Sequence, residues 1–167
     1  MAKREAARAE VIVEASPQEA FRIFTDEIGI WWRRDTPYWN DRKRGLYPRI
    51  EPGVGGRFIE VYDAETDTGF EVGRVTAWEP GARLALTWTQ VGWPYGMSTD
   101  VEITFEPIDD GTLVRLEQTG FERLGPEAAQ FTAGYAAGWQ ELLGWFAAEA
   151  GTKLARQENT NRKEQER

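Results

Sequence analysis

Residues 126–150 read PEAAQFTAGYAAGWQELLGWFAAEA, and this stretch decides the fold. Phe131, Tyr135, Trp139, Leu142, Leu143 and Phe146 recur at spacings of three and four, the period of an amphipathic helix with one apolar stripe. At 1.5 Å per residue, a helix of about 25 residues reaches roughly 37 Å, enough to cross a whole sheet. Gly134 and Gly138 lie one turn apart beside Tyr135 and Trp139 and remove volume from the stripe. Either the helix presses close to a sheet there, or space remains between them for a ligand. The segment is not an apolar 20-mer, so the membrane-dimer meaning of a glycine pair does not apply.

The residues before the helix supply the surface that its stripe needs. Val101, Ile103 and Phe105 alternate with Asp100, Glu102, Thr104 and Glu106, the pattern of a strand with one wet face. Asp110-Gly111 turns this strand back into TLVRLEQTG, residues 112–120. RFIEVYD (57–63), GFEVGRVTAW (69–78) and RLALTWT (83–89) read as further strands, and AEVIVEA (9–15) as an early one. Ser16, Pro17 and Glu19 then carry the signature of a helix start, with Ala20, Phe21 and Phe24 on its buried side. The expected architecture is α+β: a curved antiparallel sheet gripping the C-terminal helix, with short helices after the first strand.

Composition removes much chemistry. The 167 residues contain no cysteine and no histidine, which excludes disulfides, thiol nucleophiles, Ser-His-Asp triads and the usual zinc sites. No cofactor or metal is expected. The net charge of −8 argues against nonspecific nucleic-acid binding. No apolar run approaches the ~20 residues of a membrane span, and the polar start MAKREAARAE has no signal-peptide core, so a cytoplasmic location is expected. Eight tryptophans call for a thick core or a cavity to line.

Three short stretches invite functional readings. EPGVGGR (51–57) clusters glycines but leads into a strand, whereas phosphate loops lead into a helix, so it reads as a bend that starts the curl of the sheet. DAETDTG (63–69) resembles a calcium loop, but its glycine comes one place late and Arg74 occupies the closing position where a glutamate is needed. Residues 31–49, WWRRDTPYWNDRKRGLYPR, interleave basic and aromatic side chains. That mixture suits single-stranded nucleic acid, an acidic partner or ligand, or a solvated connector whose aromatics plug one end of the domain.

Taken together, VIVEASPQEAFRIFTD (11–26) with Trp31 and Trp32, IEPGVGGRF (50–58), GRVTAWEPGARLALTW (73–88), DVEITFEPIDDGTLVRLEQTGFE (100–122) and GWQELLGWF (138–146) resemble the bacterial START-like (SRPBCC) superfamily. Within it, the chain is similar to the branch of the C-terminal domain of the activator of Hsp90 ATPase. The resemblance covers roughly residues 8–150. It implies a helix-grip fold over residues 1–151; residues 152–167, charged and without an apolar stripe, read as a tail that is a frayed helix end or disordered. It also implies a cavity for a hydrophobic small molecule: a lipid, a polyketide or an aromatic compound. On that fold the expected lining is Trp32, Phe58, Trp88, Ile103, Phe105, Tyr135, Trp139 and Leu142, with Glu60, Arg74 and Gln118 as orienting polar groups. Arg74 shares a nominal strand face with Phe70, Val72 and Trp78, and drawn inward it would need Glu60 or an acidic ligand as partner. Two alternatives stand beside ligand binding. One is a polyketide-cyclase or hydrolase-like enzyme using Glu60 or Tyr135. The other is a chaperone-binding module that uses Arg42, Lys43 and Arg44.

Overall fold

The computed structural model describes residues 5–126 and 128–165. Strand β1 (Ala6–Val13) runs into helix α1 (Pro17–Asp26), whose first turn is capped as its sequence requires: the Ser16 hydroxyl accepts from the Glu19 amide at 3.2 Å. The one-turn helix α2 (Ile28–Trp31) follows, and an irregular connector then leads to β2 (Tyr47–Ile50). Five strands come next: β3 (Arg57–Asp63), β4 (Thr68–Glu79), β5 (Arg83–Trp88), β6 (Thr99–Ile108) and β7 (Gly111–Thr119). After a turn of 3-10 helix at Phe121–Leu124, α3 spans Ala128–Gln165. It continues past Ala150, where the apolar stripe ends, because helix needs good formers rather than a stripe, and Lys, Leu, Ala, Arg and Gln supply them.

The strands form one antiparallel sheet in the order β1-β7-β6-β5-β4-β3-β2, a curled half-barrel of helix-grip type around α3. Its inner face presents Leu84, Leu86, Val101, Ile103, Val114 and Leu116, all buried, while the outer face carries ion pairs such as Arg83 with Glu102 at 3.0 Å. The edge strand β1 is covered by α3. The Gln140 amide donates to the Glu10 carbonyl at 2.9 Å and accepts from the Glu10 amide at 3.4 Å, occupying backbone groups that would otherwise template another strand.

Two glycine sites bend the sheet. Gly55 has φ of +89°, in the turn between β2 and β3, and its amide donates to the Val75 carbonyl at 2.8 Å. The cluster is thus structural, as its lead into a strand implies. At Gly73 a Cβ would overlap the Thr87 carbonyl, so only glycine lets β5 approach. The β3–β4 register slips at this point, with Phe58 opposite Gly73 and Ile59 opposite Glu71. That bulge reverses the alternation of β4: Val72 and Val75 are buried and Arg74 is turned out.

The core divides along α3. Toward its C-terminal side, Phe146 meets Phe24 at 5.3 Å and Trp31 at 5.7 Å, while Phe105 packs on Phe21 at 5.2 Å beneath α1. Toward its N-terminal side, Tyr135 and Trp139 face the connector and the end of β5 instead of a second helix. No helix among the described residues is long and apolar enough to cross a membrane.

Candidate functional site

Where α3 faces the connector, a cleft of about 400 Å³ remains between them and the end of β5. Its back wall is aromatic: Trp88 lies 5.1 Å from Trp139 and 6.3 Å from Tyr135, and Trp32 stands edge-on to Trp139 at 6.2 Å. Leu142 closes the deep end, and Phe131 with the exposed Gln130 stands at the rim of α3. Across from them, Tyr38, Trp39 and Asn40 of the connector join Gln90 and Val91, which follow β5. Among the described residues, none of those lining the cleft is charged.

The glycines of α3 shape this space in two ways. Gly134 lines the cleft, and a Cβ added there would meet nothing within 4 Å. At Gly138 a Cβ would come within 3.1 Å of the Tyr38 ring, so the missing side chain admits the connector. The pair thus leaves open space at Gly134, while at Gly138 the close neighbour is the connector and not, as expected, the sheet.

The connector wall is held by a buried carboxylate. Glu60 accepts from the amides of Asn40 and Asp41, each at 2.9 Å, from the Asn40 side-chain nitrogen at 3.1 Å and from the Tyr62 hydroxyl at 2.7 Å. Burial, reinforced by that bond to Glu60, pushes the Tyr62 hydroxyl well above the usual tyrosine range. Asn40 in turn accepts from the Val91 amide at 2.8 Å and so ties the connector to the loop after β5. Trp39 donates to the Arg33 carbonyl at 2.8 Å. Three basic side chains of the connector are engaged with their own chain: Arg33 stacks on Trp145 at 5.1 Å, Arg42 pairs with Asp35 at 3.1 Å and Arg44 pairs with Asp41 at 2.7 Å.

Polar atoms on the back wall form two chains. The Trp139 indole donates to Gln118 at 2.7 Å, and the Gln118 amide donates to Thr99 at 2.8 Å, behind the cleft. In the second chain the Trp88 indole donates to the Tyr135 hydroxyl at 3.2 Å, and Tyr135 donates to the Gln90 side-chain carbonyl. Desolvation pushes the Tyr135 hydroxyl up to about 12, so at neutral pH it is a donor and not a base. Tyr38 donates to Glu141 at 2.5 Å, a bond that raises its own ionisation above the ordinary range.

A curved sheet gripping one long helix, with a cleft between them, is the frame on which family comparison bears. The profile described as "Activator of Hsp90 ATPase homolog 1-like protein" matches residues 14–151. The chain belongs to that family. Solved structures similar to this Hsp90-activator-like chain include a protein from Mesorhizobium loti, at 22% identity and a TM-score of 0.62, covering 86% of this chain and 94% of the other. The Aha1 dimer from Colwellia psychrerythraea aligns at 19% identity and a TM-score of 0.59, over 85% and 92% of the two chains. These likenesses concern the fold. An anthrahydroquino-γ-pyrone synthase, Txn09, solved in complex with SUM, is 28% identical, with a TM-score of 0.57 over 89% of this chain and 99% of that one. No match to this chain was found among curated proteins.

Within this family frame, five of the residues singled out from the sequence meet at the cleft: Trp32, Trp88, Tyr135, Trp139 and Leu142. Phe58 sits one layer behind, 5.5 Å from Trp88 and 6.1 Å from Trp32. Ile103 and Phe105 lie in the packed core, where α1 covers Phe105. Gln118 and Glu60 are buried supports, not lining groups. Arg74 corrects the expectation outright. The bulge at Gly73 turns it to solvent, where it pairs with Glu71 and donates to the Gly55 carbonyl at 3.2 Å, so it neither pairs with Glu60 nor lines the cleft. The sequence reading did not name Tyr38, Trp39, Asn40, Gln90, Val91 or Phe131 as site residues. Tyr38 and Trp39 carried a signal, being aromatic in the connector, and Phe131 lay on the helix stripe. Asn40, Gln90 and Val91 carried none.

Proposed function

We propose that this protein binds an uncharged, hydrophobic small molecule in the cleft between α3, the connector and the end of β5. The observation that carries the reading is the lining itself: Trp, Tyr and Phe rings around about 400 Å³, with no charged side chain among them. A charged ligand would lose its hydration there without gaining a counter-charge, whereas an apolar one is rewarded by area removed from water. That the similar synthase Txn09 was solved in complex with SUM supports ligand binding on this fold, without bearing on the ligand's polarity.

Binding is favoured over catalysis by the same inventory. Glu60, the carboxylate nearest in role to a general base, has its oxygens filled by four donors and does not line the cleft. Tyr135 is held protonated by its burial. Tyr135 is therefore a poor proton acceptor near neutral pH.

The test uses the neutral dye N-phenyl-1-naphthylamine, with energy transfer from the cleft tryptophans as readout. Wild-type protein should bind one dye per chain. The variant Gly134→Leu, whose new side chain starts in open space, should weaken binding at least tenfold while its circular dichroism stays native. Unchanged affinity in a folded Gly134→Leu protein would place the dye elsewhere and defeat the reading.

A further inference from the structure

The hydrogen-bond chain on the back wall has a direction, and it ends facing the cleft. Trp88 donates to Tyr135, and Tyr135 donates to the carbonyl oxygen of Gln90. The Trp88 bond leaves the Tyr135 hydroxyl with one proton to place, and the Gln90 oxygen takes it, which fixes the orientation of the amide. The amide nitrogen of Gln90 is then left as a donor that meets no acceptor among the described residues. Other polar groups around the cleft are spent. Asn40 is held between Glu60 and the Val91 amide, the Trp139 indole is bonded to Gln118, and Tyr38 is bonded to Glu141. Gln130 stands at the exposed rim.

A half-buried donor beside aromatic walls, with no counter-charge at hand, specifies its complement. The complement is a neutral acceptor carried on an aromatic frame. We infer that the cleft selects a planar, uncharged aromatic molecule bearing a carbonyl oxygen, with that oxygen accepting from the Gln90 amide and the rings lying against Trp88 and Trp139. This rests on the ligand-binding reading above and sharpens it. Gln90 is the specificity-determining residue, and the Trp88–Tyr135 pair acts through it by fixing which end of the amide faces the ligand. Donation along the chain also polarises its last member, which strengthens the bond offered to the ligand.

The experiment compares 9-fluorenone with fluorene, two planar probes of nearly one shape that differ by the carbonyl. Titration by tryptophan quenching should show fluorenone binding about three- to tenfold more tightly to the wild type, the range expected of one net hydrogen bond. The variant Gln90→Glu keeps an acceptor for Tyr135 and removes the donor, so it should abolish the preference. Gln90→Leu should do the same while still binding fluorene. In the wild-type complex the carbonyl stretch of fluorenone should shift to lower frequency, and in both variants it should return to its value in an apolar solvent. Equal affinities for the two probes in the wild type, or a preference that survives both substitutions, would overturn the assignment of Gln90 and leave the cleft as a binding site. Failure of both probes to bind the wild type would remove the binding reading itself.

Discussion

Around Phe146, α3 meets the rings of Phe24 and Trp31 at 5.3 and 5.7 Å, and α1 lies over Phe105 as a continuous apolar lid. About three turns earlier, around Tyr135 and Trp139, the same helix crosses the same sheet and leaves a cleft. Both halves are rich in aromatic residues, so hydrophobicity does not distinguish them. What differs is the cover. The closed half is roofed by a regular helix whose own stripe interdigitates with the core. The open half is walled by an irregular connector held through polar bonds to Glu60. A wall fixed by hydrogen bonds can stand at a distance that packing alone would collapse, and the bare position Gly138, against Tyr38, helps set that distance.

The largest effect that bears on this contrast is expected at Phe146. Truncation to Ala in a fully packed site should lower unfolding stability by about 3–5 kcal/mol, read as a drop in the urea midpoint. Dye affinity of the folded fraction should stay within twofold of wild type, since Phe146 does not line the cleft. A large loss of affinity at temperatures where Phe146→Ala remains folded would show that the two halves are one mechanical unit.

Glu60 should behave in the opposite sense. In Glu60→Gln one acceptor oxygen is replaced by a donor facing groups that already donate: the Asn40 and Asp41 amides and the Tyr62 hydroxyl. The loss of stability should be smaller, about 1–3 kcal/mol for an unsatisfied buried group. Its consequence should concentrate at the connector, seen as faster amide exchange at Asn40, Asp41 and Val91 and a red shift of Trp39 emission. Exchange that accelerates evenly across the sheet would mean that Glu60 supports the fold at large and not this wall.

The sequence made one side of this contrast plain and left the other obscure. Periodicity is a property of faces, so it told the sheet from the helix and put Trp88, Tyr135, Trp139 and Leu142 inward. It does not report position along a strand or what covers each end. Ile103 and Phe105 alternate correctly, yet both belong to the packed core, Phe105 beneath α1. Arg74 misled because one added residue at a bulge inverts the faces of the residues that follow it until the next irregularity at Val75–Ala77, and the signal, Gly73, is a single residue in the middle of a strand. Gln90 was invisible for a different reason. Its role comes from a hydroxyl 45 residues away in sequence, and no local pattern encodes that meeting.

The finest test places the same substitution at two positions on one helix. Ala in place of Gly in a helix interior gains about 0.5–1 kcal/mol by restricting the unfolded chain and improving propensity. Gly134→Ala should realise that gain in full, because its Cβ enters open space, and a methyl group there is too small to fill about 400 Å³. Gly138→Ala should not. Its Cβ falls 3.1 Å from Tyr38, whose hydroxyl is fastened to Glu141 at 2.5 Å, so the ring must move and strain that bond or push the connector outward. The urea midpoint should therefore rise for Gly134→Ala and stay level or fall for Gly138→Ala, with dye affinity altered only in the second. Equal gains at both positions would mean that Tyr38 yields freely. The width of the cleft would then be set by Glu60 alone, and the glycine at 138 would have no part in how closely the two walls approach.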